Sequence, residues 1–145
     1  MRAESNLGGL LGKSSRLLSN QFNHDLVQHN LTVEQWSLLA VLWSDDAQKQ
    51  KDLQAALLKD KATINSLVSY LVKNGFVMKE RDSIDKRSFI ISLTSKGRSI
   101  QEVTIPLAMK NIGKAIEGID EEALKTTVKV LTQIIDVQFH HVMVA

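Results

Sequence analysis

The chain has 145 residues (16.2 kDa), 43% of them hydrophobic and 23% charged, and contains no cysteine. Such a size and balance suit one globular domain and exclude disordered and collagen-like chains, while the lack of thiols excludes disulfides, thiolate zinc sites and thiol redox sensing. The net charge of +2 is polarised: between Lys49 and Arg98 eleven cations stand against five carboxylates, a local +6 that leaves −4 elsewhere. A basic centre between acidic flanks is expected where one segment meets phosphate and the others meet protein or water.

No basic patch followed by an apolar segment opens the chain, and its longest apolar run, Leu38 to Trp43, is too short to span a bilayer. A cytoplasmic protein without a membrane partner is expected. Leu7, Leu10, Leu11, Leu17, Leu18, Phe22 and Leu26 recur at spacings of three and four, predicting a long amphipathic helix up to about His29. The stretch Gly8 to Ser14 within it has three residues between Gly8 and Gly12 where a phosphate-binding loop needs four, and no strand precedes it. These are ordinary helix residues. Thr32 suits the cap of a second helix, Val33 to about Trp43, with Trp36, Leu39, Leu42 and Trp43 inward and Ser44-Asp45-Asp46 ending it.

Lys51 to Leu57 reads as a short supporting helix. After a turn, Asp60 caps a helix reaching Asn74, with Ile64, Leu67, Val68, Leu71 and Val72 as its inward stripe. The opposite face carries Lys61, Thr63, Asn65, Ser66, Ser69, Tyr70 and Lys73, all able to hydrogen-bond or bear charge and none acidic, which suits contact with nucleic acid. Gly75 ends the helix, and Phe76 to Met78 and Ser88 to Thr94 read as two strands around a charged tip containing Asp85, Lys86 and Arg87. Two helices in this order are those of a helix-turn-helix, and the hairpin is a wing.

Ser95 opens a further helix containing Ile100, Val103, Ile105, Leu107, Ile112 and Ile116, in which Pro106, the sole proline, is expected to bend the axis. Gly118 stops it. Asp120 caps a last helix with Leu124, Val128, Leu131, Ile134, Ile135 and Phe139 on one broad apolar face, followed by the apolar tail Val142 to Ala145. So much apolar surface at the ends of a small domain is expected to pack against a second copy.

These residues resemble the MarR-type winged-helix transcriptional regulators. The resemblance rests on Leu71, Gly75-Phe76-Val77, Asp85-Lys86-Arg87 and Leu93-Thr94-Ser95-Lys96-Gly97 at the family's spacing, with Leu31-Thr32, Gln35 and Leu39 upstream and Gly118 to Glu122 downstream. It covers nearly the whole chain. It implies a mainly α fold with a small β wing, a winged helix-turn-helix with N- and C-terminal dimerisation helices. Residues 31–98 would be the DNA-binding lobe of a single domain 1–145, and residues 1–30 and 100–145 its dimerisation helices.

By the same resemblance the protein is a homodimeric, sequence-specific regulator, a repressor on a pseudo-palindromic site in double-stranded DNA. Lys61, Thr63, Asn65, Ser66, Ser69, Tyr70 and Lys73 would face the bases, and Asp85, Lys86 and Arg87 would form the wing contact, with Arg87 in the minor groove. Three positions depart from the family's pattern: Ser66 and Lys79 stand where arginine is common, and Lys59 where an aliphatic is. A small aromatic or lipophilic anionic effector would occupy a crevice lined by Lys13, Arg16, Trp36, Leu39, Trp43 and Met109, although core tryptophans and solvated cations account for the same residues. The alternative function is a winged helix that binds another protein and has no operator of its own.

No nucleophile with its base, no glycine-rich phosphate loop and no cofactor motif is present, so no enzyme is expected. His24, His29, His140 and His141 read as surface or interface residues rather than metal ligands, because adjacent helical residues point about 100° apart and no cysteine assists.

Overall fold

The computed structural model describes residues 2–144, without the side chains of Ala3 and of residues 139–144. The expectations for Phe139, His140, His141 and the apolar tail therefore lie outside the described residues. Helix α1 (Leu7–Leu26) leads through a 3-10 turn to Asn30, whose φ of 60° reverses the chain. Helix α2 (Val33–Ser44) opens on a capping box: the Gln35 N–H donates to Thr32 Oγ1 at 3.3 Å and the Thr32 N–H to Gln35 Oε1 at 2.9 Å. Then come β1 (Gln48–Lys49), α3 (Gln50–Leu57) and α4 (Lys61–Lys73), followed by β2 (Val77–Arg81) and β3 (Phe89–Leu93). Helices α5 (Ser95–Ser99), α6 (Gln101–Ala115) and α7 (Glu121–Val144) complete the described chain. This is a winged helix-turn-helix, mostly helical with a small antiparallel sheet and helices at both ends.

The sheet order is β1-β3-β2, with Val77 opposite Leu93 and Arg81 opposite Phe89 across the wing. The strand β1, which pairs Gln48 with Ile91, was not foreseen, since two residues carry no alternation to read. Asp46 helps hold it there, its carboxylate accepting the Leu93 N–H at 2.9 Å. Two expectations need correction. Val72 is 41% exposed rather than part of the inward stripe, because it sits on the flank of α4 beyond the arc that meets the core. The helix opened by Ser95 is not continuous but interrupted at Ile100, between α5 and α6, and Pro106 lies within α6.

The chain divides into two compact units, residues 1–112 and 113–145. The first holds the core, where Leu26, Leu38, Leu39, Leu42, Leu53, Ile64, Leu71 and Ile91 are fully buried. At about 1.5–3 kcal/mol per large apolar side chain, this burial is what fixes α4 and the wing in place. The second unit contains α7, opened by the Ala123 N–H donating to the Asp120 carboxylate at 3.1 Å. Val128, Ile135 and Val137 on α7 are exposed. Among the described residues no helix is long and apolar enough to cross a membrane.

Candidate nucleic-acid interface

Helix α4 is presented by its buried side. Ile64, Leu67, Val68 and Leu71 pack into the core, which leaves Lys61, Asn65, Ser66, Ser69 and Lys73 exposed and Thr63 half-buried. Asp60 holds its start, accepting the Thr63 N–H at 2.7 Å, and that backbone hydrogen bond keeps the Asp60 carboxyl below its ordinary value of 3.8. Tyr70 is set apart from the other expected reading residues. Its ring is half-buried against the core and its O–H donates to the Asn30 carbonyl at 2.6 Å, so it ties α4 to the turn after α1. Helix α3 braces α4 from beneath through fully buried Leu53, and the Gln50 amide donates to Asn65 Oδ1.

The wing tip is a turn organised by Asp85. Its main-chain carbonyl accepts the Ser88 N–H at 2.9 Å, and its carboxylate accepts the Arg87 N–H at 3.1 Å and the Ser88 hydroxyl at 3.0 Å. The Arg87 N–H, then the Ser88 hydroxyl, hold the Asp85 carboxyl below its ordinary value, so it is ionised at neutral pH. Arg87 Nε lies 3.6 Å from Oδ1 while its side chain is 95% exposed. An ion pair that open adds little stability. Its consequence is directional, since the guanidinium is steered outward from a fixed turn. Arg81 reinforces the tip by donating to the Lys86 carbonyl at 2.5 Å.

Between the start of α3, the start of α4 and the wing strands lies a cleft of about 400 Å³. Lys51, Lys61, Lys79 and Arg87 line it with the amides of Gln50, Gln54 and Asn65, and none of its described lining residues is acidic. Lys79 stands 4.3 Å above the Phe89 ring, a cation–π contact that holds the ammonium at the cleft wall. Converging cations and amide donors are what a phosphate backbone and base edges require. Of the residues expected from sequence, the structure brings Lys61, Asn65 and Arg87 together here. Thr63, Ser66, Ser69, Lys73, Asp85 and Lys86 do not line the cleft. Lys51, Lys79, Gln50 and Gln54 were not foreseen at the site; the excess of cations between Lys49 and Arg98 signalled the two lysines, and nothing in the sequence signalled the two glutamines.

Of the six residues expected to line an effector crevice, Trp36 stands at a described cavity. A cavity of about 210 Å³ is lined by Leu18, Ser19, Phe22, Val33, Trp36, Ala108, Asn111 and Ile112, and of the six expected residues it includes Trp36 alone. Leu39 is fully buried, and the Trp43 indole N–H donates to the Gly97 carbonyl at 2.9 Å. Lys13, Arg16 and Met109 are exposed. The heptad-like spacing of α1 could not say which of its faces meets Trp36. Among the described residues no group of three or more His, Asp or Glu could hold a metal ion.

Residues 21–103 match the family model described as transcriptional regulator SarA/Rot. The organic hydroperoxide resistance transcriptional regulator of Bacillus subtilis is 30% identical over 135 residues, covering 92% of this chain and 91% of that protein. Among solved structures, a MarR protein from Peptoclostridium difficile superposes with a TM-score of 0.88 at 22% identity, covering 94% of this chain and 89% of that one. Reduced AbfR bound to DNA superposes with a TM-score of 0.76 at 25% identity, covering 95% and 94%. The fold and these relatives are those of transcriptional regulators rather than enzymes. The chain belongs to the SarA/Rot family of DNA-binding transcriptional regulators, with the MarR-type winged-helix fold.

Proposed function

We propose that this regulator acts in the cytoplasm as a homodimeric repressor, reading a pseudo-palindromic operator with two copies of α4 and gripping its flanks with two wings. The observation that carries this is the acid-free cationic cleft joining α3, α4 and the wing, with Arg87 extended from its rim. The proposed single domain 1–145 uses residues 1–30 and 100–145 for dimerisation. Exposed Leu10 and Leu17 on α1, and Val128, Ile135 and Val137 on α7, support that assignment, as they are apolar surfaces suited to a partner copy. The paired reading helices would then sit about 34–36 Å apart, one turn of B-DNA.

Control by a small aromatic or lipophilic effector belongs to the same proposal. Its seat is the cavity around Phe22 and Trp36, with Ser19 and Asn111 as the polar groups that would meet the effector's head. The test is a gel-shift with the promoter region beside the protein's own gene, repeated with aromatic carboxylates. A discrete shift that excess unrelated duplex does not compete supports the reading. Equal binding to every duplex, or none, removes it.

A further inference from the structure

Asn65 is exposed and lines the cleft, on the face of α4 turned from the core, and its amide is engaged by Gln50. The Gln50 side-chain nitrogen donates to Asn65 Oδ1, while Gln50 Oε1 is buried without a hydrogen-bond partner among the described residues. An asparagine amide has one acceptor end and one donor end. With one Oδ1 lone pair taken and the oxygen drawn toward Gln50, both Nδ2 donors remain for the groove. Turning both amides over would bury two N–H donors of Gln50 in place of one carbonyl oxygen, which is the costlier orphan.

We infer that Gln50, on the supporting helix, is a positioning residue that sets the base preference of the reading helix by fixing the polarity of the Asn65 amide. Asn65 then presents donors and selects a base edge made of acceptors: guanine N7 and O6, adenine N7 or thymine O4, against the amino groups of cytosine and adenine. This rests on the DNA-reading function proposed above and assigns part of its specificity to a residue that acts through Asn65. The lack of an arginine at Ser66 leaves this amide as the directional hydrogen-bonding group shared by α4 and the cleft.

Affinity selection from a random duplex library, read by sequencing, tests it with the full-length protein and with Gln50→Glu, Gln50→Ala and Asn65→Ala. A glutamate at position 50 can only accept, so it draws Asn65 Nδ2 inward and turns Oδ1 to the groove. The expected result is an inverted preference at one position per half-site, from acceptor-bearing to amino-bearing edges, with about a tenfold change in relative enrichment. Gln50→Ala should flatten that position and Asn65→Ala erase it, the other positions keeping their order. A merely structural role for Gln50 would lower affinity for all sequences alike, and an unchanged preference in Gln50→Glu and Gln50→Ala overturns the inference while leaving the regulator's DNA binding intact. Failure of the parent protein to enrich any sequence overturns the DNA-reading function and this inference with it.

Discussion

Gly97 lies against the Phe76 carbonyl so closely that a Cβ added to it would stand 2.0 Å from the Phe76 oxygen. This approach seats α5 on the residue that leads into β2, and the Gly97 carbonyl in turn accepts the Trp43 indole N–H. Backbone cannot give way as a side-chain end can. Gly97→Ala should therefore destabilise the fold by about 1–3 kcal/mol, read by urea denaturation. Gly113→Ala is the control: nothing described lies within 4 Å of the added methyl, and a helical alanine should be neutral or stabilising by up to about 1 kcal/mol.

The cap of α4 makes a pH-dependent contribution whose sign follows from its hydrogen bond. The Thr63 N–H lowers the Asp60 carboxyl below 3.8 in the folded protein, so its stabilisation is complete above that value and fades as pH falls through the lowered one. Asp60→Asn retains a capping acceptor that does not titrate there. Its melting temperature should follow that of the parent at neutral pH, and fall less steeply than the parent's below pH 3.8. Identical acid slopes for the two proteins would show that the cap is not ionised when it binds Thr63.

A relative is named for organic hydroperoxide resistance, yet this chain has no cysteine to form a sulfenate or disulfide. Its DNA affinity should be unchanged after brief treatment with a few equivalents of cumene hydroperoxide or diamide. Loss of binding in a gel-shift, reversed by dithiothreitol, would contradict this.

Elements with a repeated pattern or a specific cap were readable from sequence: Thr32 with Gln35, Asp60 with Thr63 and Asp120 with Ala123 all begin helices where side-chain chemistry places them. Asp85 and Arg87 were also readable as a turn, because their interactions are local. What escaped depends on pairings distant in sequence. Strand β1 exists only because β3 offers it a partner, and the Tyr70 hydroxyl is diverted by a carbonyl forty residues away. Lys51 and Lys79 join Arg87 at the cleft through tertiary placement alone, and the grouping of Lys13, Arg16 and Trp36 rested on resemblance rather than geometry.

The wing and α4 should fail differently when altered. Arg87 is almost wholly exposed, and its own backbone N–H, through Asp85, fixes the turn that points it outward, so a truncation removes a cation without disturbing the core. A fixed, solvent-facing guanidinium suits a narrow, electronegative minor groove, where it contributes at every sequence. Arg87→Ala should weaken binding across all duplexes and reduce the log–log salt slope by roughly one for each phosphate no longer neutralised, with two wings in the proposed dimer. Asp85→Asn should give a milder version of the same weakening, because the turn retains an acceptor while the guanidinium is deprived of its ionic brace. Substitution of Asn65 or Ser66 should instead change which bases are preferred, at ~1–3 kcal/mol for each base interaction removed, with little change in salt slope. Fluorescence anisotropy at several salt concentrations, on a preferred duplex and a scrambled one, separates the two patterns. If Arg87→Ala binds both duplexes as the parent does at every salt concentration, the cationic cleft and its rim are not where DNA lies.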